Sequence, residues 1–237
     1  MDKTLIIVDV QNDFLEGGAL AVEGADRSYV KDVEAIMDHF DQVLLTADNH
    51  PPHHASFETF PSHCVAGTHG AKVAVEGGDE LLLKGERIEQ EEFSAFEGGK
   101  NIEKIAGDEV YVVGLAGDYC VKQSLLDLLK YAPHKRLYAI VDLIYSIDKR
   151  SYDEVDYFDG RVKFIKSSQL KGGRDGEETL WTTASGCHGG WDSLHCTRVR
   201  ALPLRANAHL RGTQFYLLEK GWYAQRMGPF DGSSFYL

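Results

Sequence analysis

Glu109-Val-Tyr-Val-Val-Gly-Leu-Ala-Gly-Asp-Tyr-Cys-Val-Lys-Gln-Ser-Leu-Leu-Asp-Leu-Leu-Lys130 is the stretch on which the fold turns. Val110 to Leu115 is an unbroken apolar, largely β-branched run, the pattern of a strand buried on both faces. Gly114 and Gly117 interrupt it. Val121, Leu125, Leu128 and Leu129 then recur at the spacing of one buried helical face. The segment therefore reads as strand, tight turn and helix, with Cys120 in the first helical turn. Unpaired N–H groups and the positive end of the helix dipole favour a thiolate there, and such cysteines reach pKa values of about 3.5–7.5. On this stretch alone Cys120 reads equally well as a nucleophile and as a small core residue.

The same alternation extends outward in both directions. Leu5 to Val10, Val43 to Ala47, Leu81 to Lys84, Leu137 to Asp142 and Val162 to Lys166 read as further strands. Helical periodicity falls on Val30 to Phe40, with shorter helical segments expected at Asn101–Ile105 and Tyr152–Phe158. Apolar strands alternating with helices predict an α/β fold, a parallel sheet covered on both faces. Reactive groups in such sheets gather at the carboxyl ends of strands. Asp9, Asp48, Lys84 and Cys120 all fall at predicted strand ends.

Composition narrows the partners. The chain has 237 residues, 43% of them hydrophobic, and a formal net charge of −12. That charge argues against nucleic acid or an anionic membrane as partner. No apolar run reaches membrane-spanning length and no basic-then-apolar leader opens the chain, so a cytoplasmic location is expected. Four cysteines in a chain of this length form no disulfide framework. Residues 171–237 carry eight Lys+Arg against six Asp+Glu, leaving −14 for residues 1–170, and hold all three tryptophans. This shift marks a boundary near Lys171, between a main domain, 1–170, and an extension of unknown structure, 171–237. The extension contains Cys187, His188, His195 and Cys196, zinc-type ligands whose adjacent pairing suits a structural site poorly.

Asp48-Asn-His50-Pro-Pro-His53-His54, followed by His63, concentrates a carboxylate and imidazoles just beyond a strand. That is the donor mixture of a divalent ion, with zinc foremost and iron or manganese as alternatives. Asp48 and His50, two residues apart in extended chain, leave on the same face. Cys64 reads as an apolar neighbour rather than a ligand. Asp9 could cap a turn or serve as a base. Lys84 could be solvated or, closing an apolar strand, desolvated. Brought together with Cys120, they would form a base, a cation and a nucleophile.

Ile6-Ile-Val-Asp9-Val-Gln-Asn-Asp-Phe14, Asp48-Asn-His50-Pro, His63-Cys-Val-Ala-Gly-Thr, Lys84-Gly, Phe93-Ser-Ala-Phe and Gly114-Leu-Ala-Gly-Asp-Tyr-Cys120-Val closely resemble, in order, the nicotinamidases of the isochorismatase-like cysteine hydrolases. The resemblance spans residues 3 to about 168. It implies a three-layer α/β/α fold with a six-stranded, mostly parallel sheet. It also implies an amidohydrolase converting nicotinamide to nicotinate and ammonia in NAD salvage. A related cysteine amidohydrolase acting on a ureido or other small amide is the alternative. Carried over residue by residue, the resemblance implies Asp9, Lys84 and Cys120 as catalytic and Ala116 and Cys120 as oxyanion-hole amides beside a cis Leu115–Ala116 bond. It likewise implies Asp48, His50 and His63 as metal ligands, His54 as a ligand in some members, and Phe14 and Phe60 around the substrate ring. Phe60 stands where many members carry Trp, the loop after Lys84 is unusually acidic, and the oligomeric state is left open.

Overall fold

The computed structural model describes residues 2–154, 156–170, 213–218 and 221–226. Two compact units divide the chain, Met1–Leu180 and Trp181–Leu237. The first contains six strands: β1 (Lys3–Val8), β2 (Gln42–Asp48), β3 (Glu80–Lys84), β4 (Glu109–Leu115), β5 (Arg136–Tyr145) and β6 (Val162–Ile165). They form one sheet in the order β3-β2-β1-β4-β5-β6, every pairing parallel. In the second unit, β7 (Thr213–Leu218) and β8 (Gly221–Arg226) form an antiparallel pair. The extension's Cys187, His188, His195 and Cys196 lie outside the described residues.

Alternation along β1 and β4 sends side chains to opposite faces, so each face has its own core. Leu5, Ile7, Val43, Leu45 and Val113 meet Val30, Val33 and Ile36 of α1 (Arg27–Ile36) on one side. Ile6, Val8, Leu44, Val110 and Val112 meet Leu125 and Leu128 of α2 (Lys122–Tyr131) on the other. The three-layer α/β/α expectation is met. α1 starts where Asp26 accepts the N–H groups of Ser28 at 2.7 Å and Tyr29 at 3.0 Å, satisfying two donors that the helix itself cannot.

Three local expectations differ. Asn101–Ile105 contributes only a 3₁₀ turn, Ile102–Lys104. Tyr152–Phe158 is not a helix beyond the turn Tyr152–Glu154. Its aromatic anchors explain why: Tyr152 and Phe158 are each 1% exposed, and both rings pack on Phe164, so burial of two large rings shapes the segment more than helix propensity does. Cys120 lies in a single π-helical turn, Gly117–Val121, that precedes α2.

Close approach at the sheet centre demands glycine. Gly114 has φ +128°, and a Cβ there would stand 2.1 Å from the Val8 carbonyl oxygen. The β4–β5 register shifts between Val112 and Gly114, and the Leu115–Ala116 peptide just beyond is cis, as the resemblance implies. Pairing resumes at Gly114–Ile144 and runs to Leu115–Tyr145, the last residues of the two strands.

Candidate active site

Parallel strands deliver their last residues to one edge, and the sequence-predicted groups gather there. Asp9 follows β1, Lys84 ends β3, Asp48 ends β2, and Cys120 follows β4. All four are buried. Asp9 Oδ2 stands 2.9 Å from Lys84 Nζ, an ion pair without the directional geometry of a hydrogen bond. Lys84 Nζ also donates to Asp48 Oδ1, and lies 3.6 Å from Cys120 Sγ. The Thr46 hydroxyl donates to Asp9 Oδ1 at 2.5 Å. Asp9 adopts φ 50°, a left-handed conformation that aspartate tolerates better than most residues.

Burial dominates the electrostatics. It raises the Asp9 carboxyl above its ordinary pKa, while Lys84 and the Thr46 hydroxyl pull in the other direction. Burial alone would lower Lys84, but Asp48 and Asp9 outweigh it and keep the ammonium charged. The Cys120 thiol is pushed well up, first by burial and against the pull of Lys84. The low thiol pKa expected from a helix N-terminus is therefore not found. The dipole of a short turn is outweighed by desolvation and by the carboxylates of Asp9 and Asp48.

A second cluster adjoins the first. His50 Nδ1 lies 3.0 Å from the Gly85 carbonyl and His63 Nδ1 2.7 Å from the Pro61 carbonyl, so each ring donates through Nδ1 and keeps its lone pair on Nε2. Burial lowers the His50 pKa and favours this neutral form. His50 Nε2 is buried with no hydrogen-bond partner among the described residues, 3.7 Å from Asp48 Oδ2. Donor atoms of Asp48, His50 and His63 lie within 4.8 Å of one another. An orphaned nitrogen converging with a carboxylate and a second imidazole fits a divalent ion. Gly85 is indispensable to this arrangement: it has φ +63°, and a Cβ would stand 2.4 Å from His50 Cε1. His54 is occupied otherwise, as described below. Cys64 is fully buried in the apolar core, where burial pushes its thiol up, and its N–H donates to Asp13 Oδ2 at 2.7 Å.

Both clusters contribute to one small cavity, lined by Asp48, His63 and Cys120 together with the rings of Phe14, Phe60, Phe93 and Tyr119. Ala116 lines it too. Phe14 packs 5.5 Å from His63, and Phe60 packs edge-on to Tyr119 at 5.4 Å. Phe93, Tyr119, Ile147 and Glu91 are lining residues that motif reading did not assign. Tyr119, immediately before Cys120, and Phe93, which opens the Phe93-Ser-Ala-Phe motif, carried positional signals. Two larger depressions are lined mainly by charged and polar loop side chains and contain none of Cys120, His50 and His63.

A thiol, a carboxylate and an ammonium at the carboxyl edge of a parallel sheet, beside donors that fit a cation, are the groups of a cysteine hydrolase built on an α/β/α sheet. The chain belongs to the isochorismatase family, whose domain model matches residues 3–153. It is 35% identical over 162 residues to a nicotinamidase/pyrazinamidase of Mycobacterium tuberculosis, covering 60% of this chain and 85% of that one. A zinc complex of a Pyrococcus horikoshii pyrazinamidase superposes with TM-score 0.62 at 28% identity, over 70% of this chain and 99% of that one. A Leishmania infantum (L. infantum) enzyme in complex with nicotinate gives TM-score 0.63 at 28% identity, over 70% and 93% of the two chains.

Proposed function

We propose that this chain is a nicotinamidase, an amidohydrolase that converts nicotinamide to nicotinate and ammonia through a thioester on Cys120. The observation that carries this reading is the position of Lys84 Nζ, 2.9 Å from Asp9 and 3.6 Å from Cys120, beside an aromatic cavity lined by Cys120, Asp48 and His63. The nicotinate complex of the L. infantum relative supports the ring chemistry, and the zinc complex of the archaeal relative supports zinc as the ion.

Asp9 takes the Cys120 proton, and Lys84 stabilises the anion that results. The sulfur attacks the carboxamide carbon, forming the C–S bond while the carbonyl electrons move to oxygen. The amides of Ala116 and Cys120 are assigned to that oxyanion; one such donor contributes about 2.7–4 kcal/mol in a transition state. Protonated Asp9 returns its proton to the nitrogen as the C–N bond breaks and ammonia leaves. Water, deprotonated by Asp9, then cleaves the C–S bond, and nicotinate departs as the thiol reforms. Asp48, His50 and His63 would hold a divalent ion, which would supply a Lewis-acidic site for a ring nitrogen of the substrate. Phe14 and Phe60 flank the ring.

Ammonia release from nicotinamide, measured with and without chelator, tests the assignment. Turnover is expected in the metal-loaded protein and is expected to be lost in Cys120→Ala with its metal content intact. Turnover retained by Cys120→Ala removes the thioester, and failure of the loaded wild type to release ammonia removes nicotinamide as substrate.

A further inference from the structure

The acidic segment after Lys84 is a built structure. Glu92, buried, accepts from Arg87 Nη2 at 2.8 Å, Lys100 Nζ at 2.7 Å and the Gly85 N–H at 3.0 Å. Its carboxylate thus pins the end of the loop to the residue following Lys84. Two groups of that loop face the cation pocket. The Gln90 carbonyl accepts from His54 Nε2 at 3.0 Å, and His54 Nδ1 accepts the Ser56 N–H at 3.1 Å. One His54 nitrogen therefore donates and the other already accepts, which leaves no lone pair for an ion.

The second group is Glu91. Its Oε1 accepts the Glu92 N–H at 3.1 Å, and its side chain lines the cavity together with Asp48, His63 and Cys120. A Glu91 carboxylate oxygen lies within 4.8 Å of ring nitrogens of His50 and of His54. His50 itself is 0% exposed, and among the described residues its Nε2 has no hydrogen-bond partner. His50 thus belongs to two donor groups at once, Asp48–His50–His63 and His50–His54–Glu91.

We propose that Glu91 is the fourth protein donor to the divalent ion, completing Asp48, His50 and His63, and that His54 holds the loop rather than the ion. The inference rests on the metal-binding part of the function proposed above and deepens it. Charge favours it. Asp48 already gives one carboxylate oxygen to Lys84, so it is a weakened ligand. With Asp9 and Asp48 ionised, Lys84 protonated and Cys120 a thiol, a dication would leave the buried cluster with one net positive charge. Glu91 cancels it, and uncompensated charge is costly in a desolvated cavity.

The test is Zn²⁺ affinity of full-length apo-protein, measured by competition with a colorimetric chelator, independent of activity. Glu91→Gln keeps an oxygen for the Glu92 N–H and removes only the charge. It is expected to raise the Zn²⁺ dissociation constant about 10–100-fold. His54→Asn, whose side-chain oxygen can still accept the Ser56 N–H, frees the loop without removing a donor and is expected to weaken Zn²⁺ binding much less than His63→Ala. Wild-type affinity in Glu91→Gln, with affinity lost in His63→Ala, overturns the role of Glu91 and leaves the other three ligands standing. A loss in His54→Asn as large as in His63→Ala places His54 at the ion and overturns the proposal. A wild-type protein that takes up no Zn²⁺ overturns this inference and the metal-binding reading together.

Discussion

Thr46→Val isolates the group on which proton transfer depends. The Thr46 hydroxyl donates to Asp9 Oδ1 at 2.5 Å, and both residues are 0% exposed, so water cannot replace the lost donor. A hydrogen bond to a charged group is worth about 1.5–3 kcal/mol, and the methyl that replaces the hydroxyl offsets about 0.8 kcal/mol, for a net loss of about 1–2 kcal/mol. Urea unfolding of the two proteins at neutral pH reads this directly, with the midpoint lowered and the slope unchanged. The kinetic consequence has a definite sign. The hydroxyl favours the ionised carboxylate, so its removal raises the Asp9 pKa further. Asp9 must be ionised to accept the thiol proton, and the acid limb of kcat/KM for nicotinamide is expected to move to higher pH. Thr46→Ser, which keeps the donor, is expected to hold the wild-type limb. An acid limb that stays put in Thr46→Val despite the expected loss of stability would refute Asp9 as the titrating base. Unchanged stability would refute the hydrogen bond itself.

Other perturbations test separate parts. Gly85→Ala places a Cβ 2.4 Å from His50 Cε1 at a φ of +63°, so the ring must move. Metal content after dialysis is expected to fall, whereas a fully loaded variant would show that His50 tolerates displacement. Gly114→Ala brings a methyl to 2.1 Å from the Val8 carbonyl. Loss of several degrees in Tm is expected, on the scale of about 1–3 kcal/mol for overpacking, and an unchanged Tm would mean that β1 and β4 can part there without cost. Glu92 is raised by burial but lowered further by Lys100, Arg87 and the Gly85 N–H, to a pKa of about 2 from 4.5. A carboxyl lowered in this way stabilises the fold above pH 4.5, and that contribution disappears as pH falls toward 2. Glu92→Gln is therefore expected to be less stable than wild type at pH 7, with the gap in urea midpoints closing as the solution is acidified. A pH-independent gap would remove the charge contribution.

Among the described residues no helix is long and apolar enough to cross a membrane. The fold follows from local signals that carry their own physics. β-branched runs such as Val110–Leu115 located the strands, and the 3.6-residue spacing of Val121, Leu125 and Leu128 located the helix that covers one face. Both signals survive because a strand buried on two faces and an amphipathic helix each have only one way to hide their apolar atoms. Strand-end placement then put Asp9, Asp48, Lys84 and Cys120 at one edge, since parallel strands all finish on the same side.

Tertiary structure alone decided the electrostatics and the loop. No spacing could show that Cys120 sits deep enough for burial to overcome the helix terminus, because desolvation is set by every neighbour at once. Nor could it show that His54 gives both nitrogens to backbone groups, or that Glu91 turns into the cavity, because both depend on Glu92 closing the loop onto Gly85, Arg87 and Lys100. Sequence determined which chemical groups this protein has and which end of the sheet they occupy. Three-dimensional packing decided which of their lone pairs and charges remain available, because availability is what is left after every other contact has been made.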